Sequence, residues 1–561
     1  MNCSIRFKLT TVALLVGSAM NANAALYKVV EVDPASNGSN SSYNDAFGVA
    51  IQAGDVASPL GCFGVACSDA QFKLAFETRV SVDGVSYREE LPFAMDATFG
   101  YIQEFDDFER YCYNELRYST CETWASIHWA PWSRELNGNT SSNSLAYVEG
   151  DASAYLNEMN NVINSLTESA QPVGNQSIAG ETRNRVVAPI SPTDVSSFYQ
   201  SRAWKTDGTY TVGSIATSTT NENGSHHTSK AAIWDDNGVV KQLAWPQGGN
   251  RDGERLAQGS MRDVVVDDKG DTDPANDIIY GVGYNTYLDD NYINASVFVG
   301  TLGDVGFTDS TWVTKLVNGA QMKIGSDVIH SNSVVTNVNS NFIAVGEAKR
   351  AGGKPSEGSA ANRLFVVTDV RDPAPTATFL PQLGGIFFSG AGGKMGGINK
   401  YNEIVGQLDA EDTREIDGKP RRKRGFILPY YDEKTSTPTP ERRAIFGDKA
   451  WYLDDLTNGG EFSQHNNQYR VIDATDINDA GVISATAIKC EGGYDTTAHN
   501  SYCGEGSQKE SVVAVKLVPI ADAKASNIDT RPVEKASAVR NGAGLGWLAL
   551  TLMGLVGFRR K

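Results

Sequence analysis

Histidine is scarce in this 561-residue chain: His128, His226, His227, His330, His465 and His499, scattered along its length. No Cys-x2-Cys spacing accompanies them, so the ligand pattern of a zinc site is missing. Also absent are Gly-x-Ser-x-Gly, a phosphate-binding loop, a dinucleotide fingerprint and a His-Glu-x-x-His helix. A nucleophile elbow, a nucleotide cradle and a metalloprotease helix therefore have no support. Cations are in short supply too. Lys and Arg number 49 against 67 Asp and Glu, a net −18 at pH 7. Five of the cations (Arg6, Lys8, Arg559, Arg560, Lys561) lie at the two ends, and the body without those ends carries −23. So acidic a body repels phosphate backbones, which argues against nucleic acid as a partner. The one basic run, "KPRRKR" (Lys419–Arg424), lies between "DAEDTREIDG" and "GFIL" and reads as a solvated loop.

Long apolar runs occur only at the termini. "MNCSIRFKLTTVALLVGSAMNANA" has Arg6 and Lys8, an apolar run from Leu9 to Met20, and small residues at Ala22 and Ala24. That order is a secretory signal peptide, 1–24, whose removal by signal peptidase leaves Ala25 first. At the other end, Asn541 to Phe558 are uncharged. As a helix they span about 27 Å at ~1.5 Å per residue, short but adequate for a bilayer core of ~30 Å. Arg559, Arg560 and Lys561 then fit the positive-inside rule, and the body lies on the far side. Gly542, Gly544 and Gly546 weaken the helix at its outer edge by about 1 kcal/mol each relative to alanine.

The glycine cluster, Trp547, the short Leu-rich span and the basic end resemble the GlyGly carboxy-terminal sorting tag of Gram-negative envelope and secreted proteins. The resemblance implies a rhomboid-type sorting protease as partner, attachment to the membrane through 541–561, and a mature protein at the cell surface or in the medium. Here "NGAGLG" stands where the tag has a cleaner Gly-Gly, and a permanent anchor is the alternative.

The cysteines fit an oxidising compartment. Beyond Cys3, six remain, and their spacing pairs them locally as Cys62–Cys67, Cys112–Cys121 and Cys490–Cys503. Each bridge staples one loop and contributes ~2–3 kcal/mol.

A phrase recurs through the second half: "INKYNEIVG" (398–406), "VNSNFIAVG" (338–346), "INDAGVISA" (477–485), and more loosely "WKTDGTYTVG" (204–213) and "DPANDIIYGVG" (273–283). Each turns on Asn, Asp or Gly and leaves in a β-branched strand, which is a hairpin signature. A second phrase follows each of the first four in chain order: "KAAIWDDNGVVKQL" (230–243), "ASVFVGTLGDVGF" (295–307), "NRLFVVTDV" (362–370) and "RGFILPYY" (424–431). Two hairpins make a four-stranded unit. The closing positions 213, 283, 346, 406 and 485 are spaced by 70, 63, 60 and 79 residues. The expected fold is all-β, a propeller-like ring of four-stranded units; a multi-sheet sandwich or solenoid is the alternative. Five units are visible and six or seven fit the length. "SVVAVKLVPI" (511–520) is placed to close the ring beside "LYKVVEV" (26–32). The first phrase resembles the HAF-type repeats of secreted bacterial proteins. With the tag, the chain resembles an envelope protein family of unknown function, which brings no catalytic residues with it.

The resulting map is a signal peptide (1–24), an N-terminal disulfide-bearing β region with one helix (25–170), a linker or loop (171–196), the repeat region (197–520), a disordered stalk (521–540) and the tag or transmembrane helix (541–561). The helix is read from Tyr155, Met159, Val162, Ile163 and Leu166 sharing one face.

Candidate chemistry is sparse. Asp267, Asp268, Asp271, Asp273 and Asp277 alternate on one loop, the pattern of a calcium site, although Lys269 and Pro274 break it; a solvated acidic turn is the other reading. Trp124, Trp129 and Trp132 follow the Cys112–Cys121 loop, where aromatics stack on sugars or grip a protein; packing under the loop is the alternative. No catalytic residue is assigned. The sequence points to an exported binding or envelope-structural protein with an unknown carbohydrate or protein ligand; the rival is a secreted hydrolase of polysaccharide or peptide.

Overall fold

The computed structural model describes residues 25–33, 45–79, 104–113, 121–136, 144–151, 161–177, 187–191, 193, 201–221, 224–246, 257–271, 273, 276–287, 292–324, 327–330, 333–348, 362–414, 421–433 and 439–534. Among them the chain is a seven-bladed β-propeller. After β1 (Tyr27–Glu31), blade 1 is β2 (Ala46–Ile51), β3 (Leu74–Arg79) and β4 (Ser144–Val148), and blade 2 is β5 (Asn161–Leu166), β6 (Pro172–Ser177) and β7 (Val187–Ile190). Blade 3 is β8 (Arg202–Thr206), β9 (Tyr210–Asn221), β10 (Gly224–Asp235) and β11 (Val240–Gln242). Blade 4 is β12 (Ser260–Asp267), β13 (Ile278–Tyr287), β14 (Tyr292–Gly303) and β15 (Gly306–Leu316). A small hairpin, β16 (Met322–Ile324) with β17 (Asp327–His330), precedes blade 5, which is β18 (Ser333–Val338), β19 (Ala344–Ala348), β20 (Arg363–Val367) and β21 (Ala377–Phe379). Blade 6 is β22 (Gly393–Ile398), β23 (Glu403–Asp409), β24 (Lys423–Pro429) and β25 (Trp451–Tyr452). Blade 7 is β26 (Tyr469–Ile477), β27 (Ile483–Cys490) and β28 (Glu510–Pro519), with β1 as its outer strand. That outer strand closes the ring at the expected place, Tyr27 opposite Pro519 and Glu31 opposite Val515.

The first strand of each blade is the inner one, and it packs on the preceding blade all the way round. We call the face where inner strands begin the upper face; the hairpins joining first to second strands turn on the lower face. The recurring first phrase is this lower hairpin, and the second phrase is the third strand with its neighbourhood. Its glycine, however, does not close the turn. Gly213 and Gly283 sit in second strands opposite a β-bulge of the inner strand, between Ala203 and Lys205 and between Met261 and Asp263. A Cβ at either position would overlap the carbonyl oxygen of Arg202 or of Ser260. Gly174, Gly346 and Gly406 hold the same place in blades 2, 5 and 6. Every inner strand carries such a bulge, and in each case an extra residue re-aims the side chains beside it.

Bulges leave backbone groups without their ladder partners, and side chains from the neighbouring blade take those groups up. The residue after the second-strand glycine does much of this. Asn175 Oδ1 accepts from Ala203 N at 2.9 Å, Glu347 Oε2 from Met395 N at 3.1 Å, and Gln407 Nε2 donates to Ile472 O at 3.0 Å. Glu77 does the same from blade 1, accepting from Ile163 N at 3.2 Å. On the lower face the Asn of the phrase has two duties. Asn399 Oδ1 caps its own turn by accepting from Tyr401 N and Glu403 N, while its Nδ2 donates to Asn478 O at 3.1 Å in the next blade. Asn339 donates likewise to Asn399 O at 2.9 Å, and Asn478 to Gln52 O at 3.1 Å, so blades 5, 6, 7 and 1 are tied in sequence. Beneath them Arg442, on a short helix between β24 and β25, grips Glu403 at 2.7 and 2.8 Å between the rings of Phe63 and Tyr401.

Among the described residues five helices decorate the ring: α1 (Phe105–Tyr111), α2 (Glu122–Leu136), α3 (Pro440–Ala444), α4 (Leu453–Leu456) and α5 (Ser463–Asn466). The helical insertion expected in the N-terminal region is α1–α2, and it lies between β3 and β4. It is not the segment read as a helix: Asn161–Leu166, containing Val162, Ile163 and Leu166, is the inner strand β5. As an inner strand it is buried on both faces, which erases the period-2 pattern that would have marked it. The stretch 171–196, read as a linker, likewise contributes β6 and β7, completing blade 2. The stalk reading of 521–540 is corrected for its described part. Residues 521–534 run along blade 7, where Arg531 is buried and donates to Asp454 O and Thr497 O at 2.7 and 3.0 Å. Of "KPRRKR", Lys419 and Pro420 lie outside the described residues, and Arg421 and Arg424 are not solvated. Arg421 pairs with Asp409 at 3.2 Å and Arg424 with Asp454 at 3.0 Å, all four side chains buried. The three disulfides are those expected, with Cα–Cα separations of 5.5, 5.6 and 5.6 Å.

Two substitutions test this account. Gly283→Ala overpacks the bulge and lowers stability by about 1–3 kcal/mol, whereas Ala485, already alanine at the equivalent place in blade 7, tolerates glycine with a smaller change. Asn399→Asp removes the donor to Asn478 and sets a second carboxylate beside Glu403, costing about 1–3 kcal/mol or more. Urea unfolding of the purified body measures both.

Candidate functional site

The ring centre is where bulges aim side chains inward, and three inner strands place ionisable groups there. Lys205 follows the bulge of β8, Asp263 that of β12 and Asp476 the second bulge of β26. Lys205 Nζ meets Asp263 Oδ2 at 2.9 Å. The Lys205 side chain keeps 34% of its surface exposed while Asp263 keeps 2%, as expected of a long side chain along a channel wall. Blades 3 and 7 are not neighbours, so the influence of Asp476 on Lys205 acts across the axis. Burial works to lower the Lys205 pKa, but Asp263 and Asp476 outweigh it and the amine is held above its ordinary value. Asp476 is pushed up to about 6, by burial first and with Asp263 adding repulsion, against the opposing pull of Lys205 and two backbone N–H groups. Burial also raises Asp473 and Asp479.

A carboxyl group tuned to about 6 is in the range of a general acid or base. Its oxygens nevertheless have structural partners. Asp476 Oδ2 accepts from Ile51 N of blade 1 at 3.1 Å and Oδ1 from Ile477 N at 2.9 Å. Asp263 Oδ2 accepts from Val338 N of blade 5 at 3.0 Å and Oδ1 from Val264 N at 2.8 Å. These carboxylates do for the inner strands of blades 1 and 5 what Asn175 and Glu347 do elsewhere: they hold the next blade.

A second polar cluster lies on the upper side, between blades 6 and 7. His499, in the loop stapled by Cys490–Cys503, directs Nε2 to Asp455 Oδ1 at 3.0 Å and Nδ1 to Asp454 Oδ2 at 3.8 Å. Arg424, Arg470 and Arg531 surround the pair, all buried. Burial alone would raise the Asp454 pKa, but hydrogen bonding to His499 and the three guanidinium charges hold it well below the usual carboxylate range. Burial would lower His499, yet the two aspartates raise it. Both ring nitrogens face carboxylates, so neither is open to a nucleophile, and the side chain acts as a polar clamp between blades 6 and 7. The sequence reading missed it because Asp454 and His499 are brought together only by the blade 6–7 packing; the Arg run and the disulfide loop were its sole signals.

The other sequence candidates fall as follows. Trp124 and Trp129 lie half-buried on α2, their rings 6.1 and 6.4 Å from that of Phe108. With Phe108 and Ala125 they pack on Tyr284 and Ile293 of blade 4 and Val334 of blade 5. An insert rooted in blade 1 thus reaches the opposite side of the ring across the upper face. The Trp132 side chain lies outside the described residues, as do Ala22, Ala24, Gly542, Gly544, Gly546, Arg559, Arg560 and Lys561. Asp267 ends β12, and Asp268, Asp271, Asp273 and Asp277 are on the lower β12–β13 connection. Asp267 pairs with Lys269, and Asp271 accepts from Asp273 N at 2.8 Å and Asn276 Nδ2 at 3.0 Å. Among the described residues no group of three or more His, Cys, Asp or Glu is placed to hold a metal ion, and no helix is long and apolar enough to cross a membrane.

The Asp476 shift has a measurable sign. Its folded value, about 6, lies above the unfolded value near 3.9, so the native state holds the proton longer. The contribution of this group to native stability therefore falls as pH rises from about 4 to about 6, by about 3 kcal/mol, and is level above that. Asp476→Asn removes this slope: stability of the variant relative to the parent rises between pH 4 and 7 in a urea-unfolding series.

No curated protein matches the chain. A family model described as "Protein of unknown function (DUF3466)" matches residues 271–561, from the β12–β13 connection through blades 5, 6 and 7 to the last residue. With more than half of its length so matched, this seven-bladed propeller belongs to the DUF3466 family of proteins of unknown function.

Proposed function

We propose that the chain is an exported propeller acting in binding or envelope structure rather than in catalysis, delivered to the surface by a leader (1–24) and a sorting tail (541–561). The observation that carries the non-catalytic reading is the commitment of the perturbed groups. Asp263 and Asp476 accept backbone N–H groups of the next blade, and His499 is closed between two aspartates. Asp476 and His499, the two perturbed groups best placed for acid-base work, are thereby committed to ring assembly, whereas a hydrolase needs a carboxylate or imidazole with a face open to substrate. Export is supported by the three short-range disulfides, which suit an oxidising compartment. The ligand is expected to be a carbohydrate or protein read by surface loops, as is usual where a rigid scaffold positions connecting segments.

Two measurements test the reading. Intact mass of protein recovered from the cell surface or medium should begin at Ala25, end near Gly542–Gly546, and increase by six hydrogens on reduction of the three bridges. Retention of Lys561 would replace tag processing by a permanent anchor. For catalysis, the Asp476→Asn and Lys205→Gln variants should restore whatever phenotype a gene deletion removes. Loss of that phenotype in a variant that melts like the parent would overturn the non-catalytic assignment.

A further inference from the structure

The last described residues do not trail from the body; they are clamped to one edge of it. After β28 ends on the lower face, Ile520 N bonds to Leu26 O and Asp522 N to Phe63 O. The chain then climbs the outside of blades 6 and 7. Asn458 Nδ2 holds Asp529 O at 3.0 Å, and Arg531 N donates to Asp455 Oδ1 at 2.7 Å. At the upper rim, His499 N donates to Pro532 O at 2.9 Å, and Glu534 N to Asn500 Oδ1 at 2.8 Å. The loop that receives the tail is itself stapled by Cys490–Cys503. Residue 534 therefore leaves from a fixed point on the upper rim of blades 6 and 7.

Only six residues, 535–540, separate that point from the uncharged segment that begins at Asn541. Fully extended, the step from 534 to 541 covers about 25 Å. A folded body of about 500 residues has a radius of gyration of about 23 Å and so a diameter near 60 Å. Along the axis, however, the ten-residue strand β28 already sets the lower face about 33 Å below the upper rim, so the tether is too short for the body to turn that face to a bilayer holding 541–558. The rim also has the composition for such a neighbour. Tyr502 is 70% and Val533 67% exposed, both beside the exit point. Tyrosine favours the headgroup region, with its ring in the apolar layer and its hydroxyl in water. The two charges of the connecting segment, Lys535 and Arg540, are both cationic, in a body of −23, and complement anionic headgroups.

We propose that, while the tail is in the bilayer, the upper rim of blades 6 and 7 rests against the membrane surface through Tyr502 and Val533, and the lower face points away from it. This rests on the membrane-tail reading above. It places the α1–α2 insert on the membrane-facing side and leaves the lower hairpins of the ring open to a soluble partner.

The test uses the full mature chain in vesicles of phosphatidylethanolamine and phosphatidylglycerol. A photoreactive phenylalanine replaces Tyr502, Val533 or, as a control, Val313, which is 63% exposed on the outer strand of blade 4. The expected result is several-fold more lipid adduct at 502 and 533 than at 313, lost when the chain is cut after residue 540. Equal adduct at all three positions in a chain that resists alkaline carbonate extraction overturns the orientation but leaves the anchor intact. Release of the full chain by carbonate overturns the anchor and the orientation with it.

Discussion

The pairing of β1 with β28 is the contact on which the rest of the ring depends. Bringing residues 27–31 to residues 515–519 closes a loop of nearly 490 residues, at an entropic cost of about 5–6 kcal/mol by the logarithmic loop law. Leu26, Tyr27 and Val29 are fully buried when it forms. At about 1.5–3 kcal/mol for each large apolar side chain buried, that burial is of the same size as the closure cost or larger. Further bonds then lock it, with Asn466 bridging Tyr27 O and Val29 N, each at 3.0 Å. Once the seam is shut, every inner strand has a blade on either side, and the polar ties between blades have fixed partners to reach.

Those ties explain how an acidic chain tolerates charge at its centre. A bulge in each inner strand gives the sheet the bend a narrow ring needs, and it strips backbone groups of their ladder partners. A buried N–H or C=O left unmet costs about 1–3 kcal/mol, and over seven bulges such losses would be as large as the whole stability of an ordinary domain, about 5–15 kcal/mol. Carboxylates and amides from adjacent blades meet these groups instead. The elevated pKa of Asp476 is then a by-product of this work: its oxygens are needed as acceptors in a place where charge is poorly solvated. A perturbed carboxyl on the axis of a propeller is thus as much a mark of assembly as of chemistry.

How much of this was legible in the sequence follows from which residues repeat. The hairpin phrase is visible because its Asn and Gly are each dictated by backbone geometry, a cap and a close approach, and neither can drift far. It revealed five units. Blades 1 and 2 were hidden because blade 1 is interrupted by the α1–α2 insert, and because β5 is buried on both faces and so lacks alternation. Arg421 and Arg424 looked solvated since runs of charge usually are, and Arg531 because its stretch is polar and poor in apolar residues. They are buried because Asp409, Asp454 and Asp455, distant in sequence, arrive from neighbouring elements. The disulfides were readable from spacing alone, whereas the His499 clamp was not, its members being 44 and 45 residues apart in sequence.

The match to the family model bears on where any activity resides. It begins at residue 271, inside the β12–β13 connection, and so omits blades 1, 2 and 3 and the first strand of blade 4. Yet the matched part cannot close on itself. Blade 7 takes its outer strand, β1, from residues 27–31, and its inner strand β26 meets β2 of blade 1. Asn478, in the matched part, completes its donor set on Gln52 O outside it, and Lys205, outside it, neutralises the ring centre against Asp476 inside it. Cut at residue 271, the chain would expose the flanks of two blades and strand Asp476 without its cation. The folding unit is thus the whole ring, of which the segment matched by the family model is a part.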